Sequence, residues 1–205
     1  MNAIDKLTEY FRTLPGIGPR QAKRFVYFLL TREKEFLTEF SNLLSAIKKE
    51  IRVCDNCQRF FNGASTVPLC KICNDKNRDP TEIMIVEKDI DLENIEKSHA
   101  YNGYYFVLGG TVPILEKEPE TKVRSRECLA YVKRLLADKK LKEIILAFAV
   151  NAEGESTSDY LHNLFKPLIE EKGLKISALG RGLSTGSEVE YTDSETIKNA
   201  LKNRS

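Results

Sequence analysis

The chain has 205 residues, 41% of them apolar, which is enough to build a substantial hydrophobic core. No apolar run approaches the roughly 20 residues that span a bilayer, and the N-terminus lacks a signal-peptide pattern, so we expect a cytoplasmic protein with reduced cysteines. The net charge is only +2 but is uneven, since residues 1–80 carry 14 Lys and Arg against 9 Asp and Glu and residues 81–205 carry 18 against 21. The basic front part is therefore the better candidate for binding an anionic partner.

The first 52 residues predict a small helical unit. Apolar residues recur at helical spacing in three segments, and Pro15 with Gly16 breaks the first helix from the second. Gly18 followed by Pro19 predicts the start of the second helix, because proline fits the first helical position. A third helix is predicted over residues 36–51. Since three short helices bury little, this unit is expected to pack against the cysteine-containing module that follows or against another subunit.

A basic stripe runs along the predicted second helix. Its members fall at i, i+3, i+4 and i+7 and are Arg20, Lys23, Arg24 and Tyr27. The turn that contains Gly16 and Gly18 can offer backbone N–H groups to a phosphate, assisted by the positive end of the helix dipole. The alternative is an ordinary solvated helix face, but the neighbouring glycine turn favours nucleic-acid binding.

Four of the five cysteines form two Cys-x-x-Cys knuckles, Cys54 with Cys57 and Cys70 with Cys73. This spacing is typical of a single tetrahedral four-thiolate zinc site, which has no open position and is therefore structural rather than catalytic. The alternative is a pair of disulfides in a secreted domain. We disfavour it because no secretory signal precedes the knuckles and Cys128 would remain unpaired.

The remainder of the chain alternates strand and helix patterns, which favours a parallel sheet. Strands are predicted at 83–86, 104–108, 144–150 and 174–179, and helices at 91–98, 128–136, 161–168 and 194–201. Residues 78–80 are interpreted as a polar hinge and residues 111–124 as a long exposed loop. The strand at 144–150 is the most apolar and so is expected to be central. Cys128 lies on an apolar helix face, which predicts a buried core thiol.

Carboxylates follow two of these strands. Glu87 ends the first strand, while Glu153 and Glu155 follow the central strand. Ligands of open parallel sheets gather beyond the carboxyl ends of the strands, where three such oxygens can hold Mg²⁺. The alternative is a set of solvated acids, including a helix N-terminal acid favoured by the dipole. The spacing alone does not decide between the two.

Several of these segments resemble the RecR family of bacterial recombination mediators. Residues 14–20, Leu-Pro-Gly-Ile-Gly-Pro-Arg, together with Ala22 and Arg24, resemble a helix-hairpin-helix motif, and the four-cysteine knot follows it as in that family. Glu87 and the Glu-Gly-Glu segment at 153–155 resemble the acids of a Toprim domain, although Toprim enzymes have Asp-x-Asp at the second position. The C-terminal stretch is similar to that of the family at Gly186, Glu188, Glu190, Tyr191 and Asp193. The loop at 112–119 departs from the family pattern.

The resemblance implies an α/β protein in three parts. These are a helix-hairpin-helix DNA-binding unit at 1–52, a four-cysteine zinc finger at 53–78, and a Toprim-like domain with a mainly parallel sheet and a C-terminal segment at 79–205. DNA contacts are expected from Gly16, Gly18, Arg20, Lys23 and Arg24.

The implied function is that of a non-catalytic mediator of recombinational DNA repair. It works with RecO and RecF to help load RecA on single-stranded DNA, and it assembles into a ring of four subunits. Glu87, Glu153 and Glu155 then serve partner docking or bind Mg²⁺. The alternative is a Mg²⁺-dependent Toprim nuclease or strand-passing enzyme, which is disfavoured because Asp-x-Asp is absent and no motif places a nucleophile.

Overall fold

The computed structural model describes residues 1–63, 67–138, 140–180, 182, 183, 186 and 188–203, and of Glu195 the backbone alone. The chain divides into two compact units, Met1–Arg52 and Val53–Ser205. The predicted α/β class, with a helical N-terminus and a parallel sheet, is confirmed. No helix in the described ranges has the length and apolar character needed to cross a membrane.

The first unit consists of three helices: α1 (Ala3–Arg12), α2 (Pro19–Leu30) and α3 (Lys34–Glu50). Helix α2 begins at Pro19, as the Gly-Pro pair predicts. Helices α1 and α2 pack through the rings of Phe11 and Phe25, whose centroids lie 5.5 Å apart, and α2 buries Ala22 and Val26 completely. A small two-helix core therefore supports the hairpin between them.

Helix α3 differs from the other two because it has no buried residue. Its large apolar side chains are 38–62% exposed and comprise Phe36, Leu37, Phe40, Leu43, Leu44 and Ile47. We call this set the α3 apolar face. Its exposure agrees with the expectation that so small a unit needs a further packing partner.

The second unit begins at Val53 and contains a fully parallel four-stranded sheet in the order β4-β3-β5-β6. Its strands are β3 (Asp79–Val86), β4 (Gly103–Val107), β5 (Glu143–Ala147) and β6 (Lys175–Ala178). Its helices are α4 (Lys71–Asn74), α5 (Asp89–Ser98), α6 (Ser125–Ala137), α7 (Ala152–Lys172) and α8 (Ser194–Lys202). Two short strands, β1 (Ile51–Val53) and β2 (Phe60–Asn62), flank the first cysteine knuckle, and short 3₁₀ turns lie at Pro119–Thr121 and Val189–Tyr191.

The sheet separates two hydrophobic clusters. Because successive side chains of a strand point to opposite faces, Ile83 and Ile85 join one cluster and Met84 and Val86 the other. The first cluster also contains Cys128, which is fully buried as predicted. The second contains three of the four knuckle cysteines, so the knuckles pack on one face of the sheet.

Two predicted loops differ from the structure. Strand β3 starts at Asp79, so residues 79 and 80 of the predicted hinge belong to it, and Pro80 lies where the register with β4 shifts. In the predicted exposed loop at 111–124, Val112 and Val123 are 3% and 5% exposed and join the core. Isolated valines give no periodic signal, which is why the sequence did not reveal their burial.

Candidate functional site

The four knuckle cysteines come together as predicted. Their sulfur atoms all lie within 4.8 Å of one another, and Cys57 Sγ is 3.6 Å from Cys70 Sγ. A tetrahedral zinc site with Zn–S bonds of about 2.3 Å places its sulfurs about 3.8 Å apart, so this donor set fits such an ion. All five cysteines are free, and the disulfide alternative is therefore wrong.

The backbone around the knuckles orients the sulfurs. Cys70 is the N-cap of α4, where its Sγ accepts a hydrogen bond from the Cys73 N–H at 3.5 Å, and the Cys54 Sγ accepts one from the Cys70 N–H at 3.3 Å. The hydrogen bond between Cys54 and Cys57 lowers the pKa of the Cys54 thiol and raises that of Cys57. Because thiols bind a metal ion as thiolates, a cation bound here would displace their protons.

Residues distant in sequence fasten the first knuckle to the sheet. The Val107 N–H donates to the Cys57 carbonyl at 2.8 Å, and the Arg124 guanidinium donates to the Gln58 carbonyl at 2.9 Å. Tyr131 of α6 is buried nearby, and its pKa is raised by burial and by the neighbouring Cys73 and Cys57 sulfurs. The sequence gives no sign of these three contacts, because Val107, Arg124 and Tyr131 are brought to the cysteines only by the fold.

The hairpin between α1 and α2 has the geometry that its sequence requires. The Ile17 N–H donates to the Leu14 carbonyl at 3.2 Å, and Gly16 between them has a φ of 77°, as the third residue of a type II turn with proline second does. Gly18 is the N-cap of α2 and has no side chain to cap the helix. The first-turn N–H groups of α2 are therefore available to an external acceptor.

The basic stripe lies on the solvent side of α2. All four of its members, Arg20, Lys23, Arg24 and Tyr27, are exposed. Within the described part of the chain none of the three cations forms an ion pair, and Arg24 only donates to the Gln21 amide at 3.3 Å. The structure thus places an unneutralised positive stripe beside an open helix N-terminus.

The three predicted acids do not form one cluster. Among the described residues, three or more His, Cys, Asp or Glu side chains bring their ligand atoms within 4.8 Å of one another at the four cysteines, and that group does not include these acids. Glu87 forms an ion pair with Lys88 at 2.6 Å, and Glu153 accepts a hydrogen bond from the Thr111 hydroxyl at 2.9 Å. Glu155 is exposed. Glu153 and Glu155 lie in the first turn of α7 rather than in a loop.

The glycine between these two acids is required by packing. The Gly154 N–H donates to the side chain of Asn151, the N-cap of α7, at 2.8 Å. A Cβ atom at Gly154 would lie 2.0 Å from the carbonyl oxygen of Ala149, which is a backbone atom that cannot rotate away. The close approach of the α7 N-terminus to the segment after β5 therefore excludes any side chain here.

Replacing Gly154 by alanine is expected to lower the free energy of unfolding by roughly 2–3 kcal/mol, because the backbone must shift to relieve the clash. Chemical denaturation measures this. Gly180→Ala is the matched control, since a Cβ at Gly180 meets nothing within 4 Å. Equal stability of the Gly154→Ala variant and the wild type would contradict the packing argument.

The C-terminal stretch caps the last helix. Asp193 precedes α8, and its carboxylate accepts a hydrogen bond from the Thr196 N–H at 3.0 Å. Tyr191, in the 3₁₀ turn before it, is 83% exposed. Asp193 therefore has a structural role as a helix cap, while Tyr191 is presented to solvent.

The fold and its sites define a protein in which a helical-hairpin unit, a four-cysteine cluster and a parallel α/β domain follow one another along the chain. Three family models match: "RecR, helix-hairpin-helix" at residues 4–48, "Toprim domain" at 81–180 and "RecR, C-terminal" at 182–205. The chain belongs to the RecR family of recombination proteins, as its full-length relatives show.

Among those relatives, the Recombination protein RecR of Lacticaseibacillus casei (strain BL23) is 36% identical over 202 residues, which cover 98% of this chain and 96% of the relative. Recombination protein RecR of Legionella pneumophila subsp. pneumophila is 34% identical over 204 residues, covering 100% and 96%. That of Levilactobacillus brevis is 36% identical over 202 residues, covering 98% and 96%. The family resemblance noted in the sequence is therefore confirmed over the whole chain.

Proposed function

We propose that this protein is a DNA-binding, non-catalytic mediator of recombinational DNA repair in the cytoplasm. It acts with RecO and RecF to help load RecA on single-stranded DNA. The observation that carries the proposal is the unneutralised stripe of Arg20, Lys23 and Arg24 beside the open N-terminus of α2, within a chain that matches RecR proteins from end to end. Such a surface binds phosphates through charge and backbone N–H groups and is indifferent to base identity.

The proposed metal is one structural zinc ion per chain, held by Cys54, Cys57, Cys70 and Cys73. Four thiolates fill the tetrahedral shell, so the ion has no position for a substrate and acts on stability. When bound, it would link the two knuckles across the residues that separate them. The sulfur spacing and the N–H···S bonds support this assignment.

The proposed role of the Toprim acids is contact with a partner protein rather than chemistry. Glu87 and Glu153 are each engaged by a neighbouring side chain, Lys88 and Thr111. Two-metal phosphodiester chemistry instead needs carboxylates that converge on the ions. Glu153 and Glu155 are both exposed, so a docking partner could reach either of them.

We further propose that the protein assembles into a ring of four through contacts that include the α3 apolar face. An exposed apolar face of this length is uncommon on a monomer and is typical of a subunit interface. Assembly would also strengthen DNA binding, because one hairpin offers few cations. When several hairpins face one DNA, the first contact raises the effective concentration for the next.

Light scattering is expected to give the mass of four chains for the wild type and a smaller mass for Leu43→Asp, because a buried carboxylate would disrupt an apolar interface. Leu43 is 62% exposed in the single chain, so the subunit itself should tolerate the change. Ser41→Asp adds the same charge at an exposed position of the same helix and should leave the mass unchanged. Equal masses for wild type and Leu43→Asp would place the interface elsewhere.

The function is tested by RecA filament formation on single-stranded DNA coated with single-strand-binding protein. We expect this protein, added with RecO and RecF, to accelerate filament formation and, in a parallel reaction with Mg²⁺, to leave supercoiled DNA intact. Mg²⁺-dependent nicking that disappears in a Glu87→Gln variant would contradict the mediator function and show that the protein is a Toprim nuclease. Absence of acceleration together with normal DNA binding would limit the role to binding alone.

A further inference from the structure

The residue that follows the first Toprim acid is held firmly at the end of the sheet. Strand β3 ends at Val86, level with Val107 of β4 and Ala147 of β5. Glu87 comes next, and Lys88 is the N-cap of α5, where its backbone N–H donates to the Asp91 carboxylate at 2.9 Å. Lys88 therefore occupies the carboxyl edge of the sheet, the region in which this fold class binds its ligands.

The Lys88 ammonium neutralises the best-placed acid of this edge. Its Nζ lies 2.6 Å from Glu87 Oε1, and the Glu87 side chain is only 18% exposed while that of Lys88 is 63% exposed. The pKa of Lys88 is raised, chiefly by the hydrogen bond to Glu87 and also by the negative charges of Asp91 and Glu153. Lys88 is thus paired with the acid that follows β3 and is also influenced by the charge of Glu153 in α7, as a cation bound at this edge would be.

The second acid is engaged from another direction. Glu153 accepts a hydrogen bond from the Thr111 hydroxyl at 2.9 Å. The residue after Thr111 is anchored in turn, because the Val112 N–H donates to the hydroxyl of Thr157, which is fully buried, at 2.8 Å. Thr111 is consequently held against α7 by its own loop, and its hydroxyl already occupies the Glu153 carboxylate.

This donor set does not fit the divalent ion that a Toprim fold implies. Magnesium requires oxygen ligands at about 2.1 Å in near-octahedral geometry. In the described chain Glu87, Glu153 and Glu155 do not gather as a three-ligand group, and an ammonium already lies within hydrogen-bonding distance of Glu87. A metal ion on Glu87 would have to displace this ammonium or stand beside a like charge.

We propose that Lys88 is a resident cation that takes the place of the divalent metal at this edge, so that this Toprim domain neutralises its own acid and binds no Mg²⁺ there. The proposal concerns metal preference and stands apart from the mediator role, because a mediator can be metal-free or metal-bound at this edge.

The test is titration of the zinc-loaded full chain with Mn²⁺, which serves as a probe for Mg²⁺. Binding is measured by calorimetry and by the electron paramagnetic resonance signal of free Mn²⁺. We expect Lys88→Gln to gain one saturable site at least about tenfold tighter than any in the wild type, since removing the ammonium frees Glu87. The gain should vanish in Lys88→Gln/Glu87→Gln. Zinc-filled thiolates do not compete, because Mn²⁺ prefers oxygen ligands.

Lys97→Gln is the matched control, because Lys97 is an exposed lysine in the last turn of the same helix and its loss changes the net charge equally. Lys88→Gln should fold, since the hydrogen bond to Asp91 uses the backbone, and a melting temperature that rises with Mg²⁺ in this variant alone would agree with the titration. The proposal is overturned if wild type and Lys88→Gln bind Mn²⁺ equally, whether both tightly or both undetectably. It is also overturned if Lys97→Gln gains the same site.

Discussion

A Cys70→Ser variant is expected to lose its metal and most of the stability of the second unit. Structural zinc sites contribute on the order of 10–16 kcal/mol of apparent binding free energy at neutral pH, which is as large as the roughly 5–15 kcal/mol that stabilises a whole domain. Cys70 is central to the cluster, because its sulfur faces Cys57 at 3.6 Å and its backbone N–H bonds the Cys54 sulfur. Elemental analysis and thermal denaturation measure the two losses.

The damage should spread beyond the knuckles. Cys54, Cys57 and Cys70 belong to the same buried cluster as Met84 and Tyr105 of the sheet. Because an unligated knuckle would expose this cluster to water, we expect the sheet to melt with it, while the helices of the first unit keep their own core of α1 and α2. Hydrogen exchange resolved by segment would show the difference.

Cys128→Ala is the cysteine control for this experiment. Cys128 is fully buried, and burial raises the pKa of its thiol, but it lies in the cluster on the other face of the sheet. Its truncation should cost about 1 kcal/mol through a small cavity and leave one zinc per chain. Unchanged metal content and melting temperature in Cys70→Ser would show that the four cysteines are not the metal site.

Much of the fold follows from local signals in the sequence. The Gly18-Pro19 pair marks the start of α2, the paired knuckles predict the sulfur cluster, and the apolar run at 144–150 predicts an interior strand. Each is a signal in which a few adjacent residues determine the structure. The start of α7 was also readable, because Asn151 is a good N-cap, and it would have placed Glu153 in a helix rather than a loop.

The parts that escaped prediction depend on contacts between distant segments. The ion pair of Lys88 with Glu87 joins neighbouring residues, but only the fold shows that the charge of Glu153 in α7 also acts on Lys88. Thr111 and Glu153 are 42 residues apart, and their hydrogen bond requires the loop after β4 to reach α7. Sequence reasoning could therefore name the acids but could not say which partners already hold them.

Replacing Arg20 and Arg24 by alanine is expected to weaken DNA binding at least about tenfold at moderate salt and to flatten its salt dependence. Each phosphate contact contributes about −0.9 to the slope of log K against log salt on duplex DNA, so losing two should reduce the slope by about 1.8 for every hairpin engaged. Both arginines are exposed, and Ala22 and Val26 supply the buried side of α2, so the fold should survive. Fluorescence anisotropy over a salt series measures the affinity and the slope.

Lys48→Ala/Lys49→Ala is the matched control, because it removes two positive charges from the exposed last turn of α3 in the same unit. A general effect of net charge would lower affinity equally in both double variants, whereas a phosphate site at the hairpin is affected only by the change at Arg20 and Arg24. The effect should also be the same for unrelated DNA sequences, because contacts to phosphates carry no base information. A folded, correctly assembled Arg20→Ala/Arg24→Ala protein with the wild-type salt slope would show that the stripe is a solvated face and that DNA binds elsewhere.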